Sequence, residues 1–325
     1  TKSYEVGQVV ETVGYYAEGD AGAARYLVKA AQAFDGYADH ELANDNIAVL
    51  QVGTEVNVKQ FGANGTVAVL QANSPWRLSL FGAISGQDST AAIQAAIDEK
   101  GSIDVDGDYI FSSSLAVNRV DISIAGSGSL AGANRSSAIT YSDLVKRIIL
   151  KDFTLKTCAG TQTIGSTTSA IDYVRMSNVT IDDSEIGIHL LGAVKDAVFT
   201  ENTFNNLNRT LLNQSCQGIK IGNNNRATAL LTEKVIISNN TFKDIVNNFA
   251  NECHATLIYG TQSIVSDNAI SGVANSDNSG CESIYFKCDI VTCTGNVISN
   301  QAEADDGCIN FKGGDEGDVT QVTGQ

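Results

Sequence analysis

From residue 145 onward one pattern repeats along this chain: an apolar strand, an Asn at a turn, a second apolar strand, a loop, and a third strand. The turn residues are Asn178, Asn202, Asn240, Asn268 and Asn296, spaced 24, 38, 28 and 28 residues apart. A second column keeps step in the triplets Ile188-His189-Leu190, Ile219-Lys220-Ile221, Leu257-Ile258-Tyr259, Ile284-Tyr285-Phe286 and Ile309-Asn310-Phe311. Most of these read apolar, polar, apolar, the period-2 signature of a strand with one buried face. Self-similarity at such a period marks a solenoid, in which no coil can bury its apolar face alone. At the ~4.8 Å spacing of paired strands, Asn side chains of successive coils can hydrogen-bond, donor to acceptor. Asn also tolerates the left-handed backbone of a sharp corner. The sequence therefore predicts an all-β parallel solenoid over residues 101–325. Asn202, Asn240, Asn268 and Asn296 should stack in one turn column, and Ile188, Ile219, Leu257, Ile284 and Ile309 should be buried in a line.

Composition narrows the partners. A hydrophobic content of 43% over 325 residues suffices for a large core. A net charge of −16 argues against a nucleic-acid partner and against an anionic membrane surface. No run of about 18 apolar residues is present, so no membrane span is expected. The seven cysteines, Cys158, Cys216, Cys253, Cys281, Cys288, Cys293 and Cys308, lie mostly in or beside the predicted strands. There a thiol acts as a small hydrophobe, which points to assembly in a reducing compartment. Cys253 and His254 are adjacent, but no C-x-x-C or H-x-x-x-H spacing accompanies them, so neither metal nor cofactor is expected. The single proline, Pro75, lies in Ala72-Asn73-Ser74-Pro75-Trp76 and reads as a connection rather than a strand.

Ahead of the solenoid, Asp88-Ser89-Thr90-Ala91-Ala92-Ile93-Gln94-Ala95-Ala96-Ile97 reads as a short helix. Asp88 or Ser89 can cap it, and Ile93 and Ile97 share one face. A helix there can cover the open apolar end of the first coil. Three further stretches precede it: Gly14-Tyr15-Tyr16 with Gly19-Asp20-Ala21-Gly22, Arg25-Tyr26-Leu27-Val28, and Val56-Asn57-Val58-Lys59-Gln60-Phe61-Gly62-Ala63. In this order, these residues resemble the front end of bacteriophage tailspikes and capsule depolymerases of the pectate-lyase-like family. Gly107-Asp108-Tyr109-Ile110 and Ala125-Gly126-Ser127-Gly128 are similar to that family's first coils. Members commonly run from the Phe-Gly-Ala strand straight into a Gly-Asp-Gly loop; here residues 64–87 intervene, with strand-like segments at 67–70 and 78–81.

The resemblance implies a right-handed parallel β-helix, a homotrimer, and a place on the virion tail after assembly in the bacterial host cytoplasm. It divides the chain into an N-terminal attachment and oligomerisation region (1–60), a segment of connecting strands, insertion and capping helix (61–100), and the β-helix (101–325), which is expected to stop within a coil. Phage tail or baseplate proteins would meet the N-terminal region. The implied function is recognition, and often cleavage, of a bacterial surface polysaccharide. The alternative is a non-enzymatic receptor-binding or attachment component of the virion.

Cleaving a glycosidic bond usually requires two carboxyl groups. The loops before the second column are acidic, with Asp182, Asp183, Glu185, Glu252, Asp277, Glu282, Glu303, Asp305 and Asp306. Glu282 precedes Ile284 by two residues and Asp306 precedes Ile309 by three, which sets them on neighbouring coils beside Glu252. Glu282, Asp306 and Glu252 are the candidate catalytic residues; solvated loop carboxylates are the competing reading. With Ile284, Phe286, Ile309 and Phe311 turned inward, Tyr285, Lys287, Asn310 and Lys312 point outward, and Lys220 and His189 extend the strip. An aromatic, amide and basic strip suits a glycan bearing uronate or sialate. It also keeps β-elimination open, which needs a cation at the sugar carboxylate and a group to move a proton.

Overall fold

The computed structural model describes residues 4–12, 24–31, 40–42, 45–51, 55–57, 69–71, 76–163, 170–210, 214–222, 232–249, 251–276, 280–300, 308–311 and 321–324. The chain divides into two compact units, Thr1–Ser74 and Pro75–Gln325. In the first, Arg25–Lys29 alternates exposed and buried residues between Val9–Glu11 and Ile47–Leu50, in an antiparallel sheet completed by His40–Glu41. Ala24, Tyr26, Ala48 and Leu50 form its small core. Glu55–Asn57 and Val69–Gln71 make a separate antiparallel pair. The Gly14 to Asp20 stretch and residues 58–63 lie outside the described residues.

The second unit is a parallel β-helix with the right-handed crossover that twisted parallel strands favour. Each coil gives one strand to each of three faces, here called A, B and C. In coil five these are Val194–Thr200, Thr203–Arg209 and Cys216–Ile221. All three pair in parallel with their counterparts one coil earlier and one coil later. About eight coils stack in this way. Cys253–Ser266 and Ile284–Thr294 bend from face C onto face A without a break, which joins those faces as one 16-stranded sheet. Inward residues of all three faces, among them Phe199, Phe204, Ile219 and Ile237, share one continuous core. Close approach is matched by volume: a Cβ on Gly218 would meet the Phe242 ring at 2.9 Å, and Phe242 itself stacks on Phe204 at 4.8 Å. Cys158, Cys216, Cys253, Cys281 and Cys288 are buried as thiols, and burial pushes Cys253 well above its usual range.

The corner between faces A and B uses two residue columns. The first is left-handed: Asp152, Asn178, Glu201, Asn239, Asp267 and Gly295 have φ between 51° and 65°. The second is the Asn ladder. Asn202 Nδ2 donates to Asn240 Oδ1 at 2.9 Å, Asn240 to Asn268 at 3.0 Å, and Asn268 to Asn296 at 2.8 Å. Each acceptor Oδ1 also takes the backbone N–H of the preceding rung, and the Nδ2 groups of all four donate to carbonyls one coil back: Met176, Phe199, Ile237 and Val265. Asn178 therefore stands one residue out of the expected column, in the left-handed position, where its amide bonds Asp152; Val179 takes the ladder site of that coil. Thus the left-handed backbone and the amide stack, expected of the same Asn, belong to successive residues.

A second one-residue difference concerns face C. Ile188, Ile219, Ile284 and Ile309 do align, but the coil-six member of that column is Thr256. Leu257 pairs with Lys220 and Tyr285, so it faces outward. In Leu257-Ile258-Tyr259 every residue is apolar, which removes the alternation that sets register, and a slip of one residue exchanges the faces.

The N-terminal end of the stack is covered on all three faces. Trp76–Arg77 pairs in parallel with Ser102–Asp104 on face A, so the segment expected to be a pure connection supplies a short strand. On face B the backbone N–H groups of Gly86 and Ser89 donate to Asp108 and Ile110. On face C the Gln94 amide donates to Ala116 O and accepts from Ala116 N, both at 2.8 Å, in place of a neighbouring strand. Gln94 belongs to the helix Thr90–Lys100, which buries Ile93, Ala96 and Ile97 in the solenoid core. Asp88 accepts the Thr90 N–H, whereas the Ser89 hydroxyl turns back to Ile84; Arg119 caps the far end through the Ile97 and Asp98 carbonyls. Leu78–Phe81, expected to be strand-like, is a 3-10 helix against this one. None of the described helices is long and apolar enough to cross a membrane.

Replacing Asn240 by Ala would strip the Phe199 carbonyl and the Asn202 backbone N–H of their ladder partners at a site 1% exposed. Unfolding free energy from urea titration is expected to drop by about 3 kcal/mol for Asn240→Ala and by about 1 kcal/mol for the outer rung Asn296→Ala.

Candidate functional site

Face C carries its chemistry on the outward positions of coils four to eight. One column runs His189, Lys220, Leu257, Tyr285 and Asn310 in direct register. A second sets Tyr259 beside Lys287. Leu257, Tyr259 and Tyr285 form an apolar cluster separate from the main core. The Lys287 ammonium lies over this cluster, 5.0 Å from the Tyr259 ring centre and 5.2 Å from that of Tyr285. Two aromatic faces attract a cation there and hold it against the sheet. Lys220 is half-buried; burial lowers its pKa, Glu252 opposes that effect, and Lys287 adds to it. The Tyr259 phenol is pushed above its usual range by burial, then by Glu252 and Tyr285.

The turns leading into face C bring three titratable groups together. His254 is 0% exposed, and its ring packs on Tyr285 at 5.3 Å. Its Nδ1 lies 3.2 Å from the Glu282 carbonyl oxygen and 3.1 Å from Glu282 Oε2. The carbonyl is the aligned acceptor; Oε2 makes no aligned hydrogen bond among the described residues and acts through charge. On the other side, Nε2 lies 3.8 Å from Oε2 of Glu252. Asn310 Nδ2 donates to the second Glu282 oxygen at 3.1 Å. The side chain of Glu282 is 2% exposed, that of Glu252 51%.

Electrostatics follow from this geometry. Burial would lower the His254 pKa, but contacts with Glu252 and Glu282 outweigh it, and the net direction is upward. Burial would raise Glu282, yet His254 and Asn310 hold it below the usual carboxylate range. Glu252 is lowered chiefly by His254, against desolvation, with help from Lys220 and Lys287. His189 goes the other way. Burial, then Lys220 and Arg209, keep its imidazole neutral.

The sequence-derived candidates are thus distributed unevenly. Lys220, Tyr285, Lys287 and Asn310 come together with Glu252 and Glu282, but Glu282 is buried behind the strip rather than presented on it. The Nε2 of His189 is buried and has no hydrogen-bond partner among the described residues. Asp306 and Lys312 lie outside the described residues, as do Asp277, Glu303 and Asp305. Glu185 is committed elsewhere: it accepts from the Thr210 N–H at 2.8 Å and lies 3.9 Å from Arg209. Asp182 and Asp183 sit at the B-face corner with Asn205, Asn206 and Arg135. His254, which the sequence offered only as a neighbour of Cys253 in a metal site, is the residue whose place in this cluster sequence reasoning missed. Cys253 beside it points into the core, with its thiol donating to the Ile245 carbonyl, so the two do not converge on a metal.

No family model and no curated protein matches the chain. Among solved structures, the full-length tailspike protein 2 of Escherichia coli O157:H7 bacteriophage CAB120 is 14% identical with a TM-score of 0.42, over 92% of this chain and 46% of that one. Pantoea stewartii WceF, a glycan biofilm modifying enzyme with a bacteriophage tailspike-like parallel beta-helix fold, is 10% identical at a TM-score of 0.49, over 98% and 48%. The Acinetobacter baumannii phage AM24 tailspike protein is 12% identical at a TM-score of 0.44, over 93% and 54%. The chain spans about half the length of each.

The buried charge contact has a pH signature. A raised His pKa gives stability that is complete below the unfolded value, about 6.5, and lost as pH rises through the folded value. His189, with its lowered pKa, acts only below about 6.5. The wild-type urea midpoint should therefore fall as pH rises above about 6.5, and His254→Gln should abolish most of that fall.

Proposed function

We propose that this chain is part of a homotrimeric bacteriophage tailspike whose β-helix binds and cleaves a carboxylate-bearing bacterial surface polysaccharide, capsule or O-antigen. In this reading residues 1–60 attach to tail or baseplate proteins of the virion, residues 61–100 connect and cap, and residues 101–325 form the glycan-binding β-helix. Assembly takes place in the host cytoplasm, without cofactor, nucleic acid or membrane. The resemblance of the front segments supports the tailspike assignment. The observation that carries the glycan site is the outward strip of Lys220, Tyr259, Tyr285, Lys287 and Asn310, bordered by the exposed carboxylate Glu252.

Two ammonium groups suit a sugar carboxylate by charge, and Lys287 is held in place over the buried rings of Tyr259 and Tyr285. Glu252, held ionised, is the base or nucleophile. Asp306 supplies the second carboxyl for hydrolysis. For β-elimination, Lys220 and Lys287 would stabilise the carboxylate while Glu252 takes the proton. A non-enzymatic receptor-binding role is the second reading, favoured by the burial of Glu282, which leaves Glu252 as the solvent-facing member of that pair.

The test is to incubate the full parent protein with capsule and O-antigen preparations from candidate hosts. New reducing ends without unsaturated uronate mark hydrolysis, unsaturated uronate marks elimination, and binding without either marks the receptor role. Glu252→Gln and Asp306→Asn are each expected to lower turnover ~10²-fold or more with binding retained. Lys287→Ala should weaken glycan binding in titration calorimetry, with a larger loss at low salt, where the lost charge contact was less screened.

A further inference from the structure

His254 is buried, lies between two carboxylates, and leaves one nitrogen unused. Its Nδ1 is committed to the Glu282 carbonyl, which fixes this nitrogen as the N–H donor. Its Nε2 is buried, with no aligned hydrogen-bond partner among the described residues. A histidine kept only for packing would have both nitrogens bonded or would be replaced by an apolar residue, because an unpaired buried polar atom is costly. Here the atom is aimed at the one exposed carboxylate of the cluster, at 3.8 Å, just beyond hydrogen-bond reach.

We infer that His254 is a positioning residue: anchored from behind by Glu282, it directs Nε2 at Glu252 and keeps that exposed carboxylate ionised and aimed along the outer face of coils six and seven. The inference rests on the proposed role of Glu252 for its consequence in turnover, but not for its existence. The ring is gripped by three elements. Its own turn contributes Glu252, the next coil's turn contributes Glu282, and the strand after it contributes Tyr285. Glu252 in turn is faced by His254, Lys220, Lys287 and Tyr259. Glu282 therefore acts through His254 and is not the group that meets the sugar. Its second oxygen is held by Asn310 one coil further on, so the arrangement spans coils six to eight.

Coupling between two proton sites is reciprocal: if protonated His254 makes Glu252 more acidic, ionised Glu252 makes His254 more basic by the same factor. This is measurable without any substrate. The chain has three histidines, so the imidazole signals of the intact protein can be assigned by comparison with His254→Gln and titrated by NMR. Glu252→Gln changes a half-exposed side chain and should leave the fold intact. It is expected to lower the proton affinity of His254 by about fivefold or more, and Glu282→Gln by at least as much. An unchanged His254 titration in Glu252→Gln overturns the inference.

The second arm uses turnover of the carboxylated glycan. His254→Gln should move the acid limb of the kcat/KM profile to higher pH, because Glu252 loses its cation, and should lower kcat about tenfold or more with KM little changed. A merely structural histidine would leave the limb in place, and that result, in a folded variant, also overturns the inference. Should the wild-type protein cleave none of the glycans, the functional reading fails, while the NMR titration still decides the coupling.

Discussion

The repeat of one coil over the next depends on main-chain hydrogen bonds that run along the solenoid axis, and at the A–B corner those bonds are continued by side chains. A corner turns the backbone out of the strand conformation, so that in each coil one N–H, that of the ladder residue, and one C=O, that of Met176, Phe199, Ile237 or Val265, are met by side-chain amides rather than by backbone. Asn202, Asn240, Asn268 and Asn296 repair this with an amide at each rung, serving as acceptor to one neighbour and donor to carbonyls one coil back. Because the amides of Asn202, Asn240 and Asn268 are each tied to three coils, these rungs cannot rotate or slide without breaking bonds on both sides. The left-handed residue that precedes it is held the same way: Glu201, at φ 58°, donates its N–H to Ser238 of the next coil. Glutamate has no intrinsic preference for that conformation. Stacking imposes it.

A corner fixed this firmly sets the register of everything downstream, including face C. Registration places Lys220, Leu257, Tyr285 and Asn310 in one outward line, and the turn before each C strand inherits it, so that His254 and Glu282 fall on adjacent rungs. A contact of 3.1 Å between a ring and a carboxylate from residues 28 positions apart arises here from two coils in step, with no loop reaching across. Such a site stands on strands and their entry turns, which are harder to displace than long loops.

What the sequence disclosed and what it withheld follow from the same physics. The ladder from Asn202 onward was legible because buried amides at a fixed register have few other uses. Asn178 was misplaced by one residue because Asn is equally at home at a left-handed corner, and only the position of Val179 beside it decides between the two. Leu257 was misplaced because an all-apolar triplet carries no alternation; it is buried after all, beneath Tyr259 and Tyr285 in the outer cluster. The capping helix was readable from Ile93 and Ile97, whereas the pairing of Gln94 with Ala116 was not, since a polar residue on an exposed helix face has no sequence mark of its partner. His254 was hidden for a related reason. Beside Cys253 it suggests only a metal ligand without the spacing to support one, and the carboxylate it contacts lies 28 residues away in Glu282.

The local charge of this face runs against that of the whole molecule. A chain of net charge −16 repels polyanions at distances where its surface is seen as one field. Within about a Debye length, ~8 Å at physiological salt, the sum is different. Among the described residues that act on Glu252 and Glu282, Lys220, Lys287 and protonated His254 are cationic, and Tyr259 and Tyr285 lie beneath Lys287. The same groups are not redundant: His254 faces its buried anchor Glu282 and the exposed Glu252, whereas Lys220 and Lys287 stand on the outward rows of face C. Glu252, half-exposed and held below the usual carboxylate range, borders that strip. The two signs of charge thereby fall at different positions of the same face, the ammonium groups on its strands and the carboxylates at the turns that enter them.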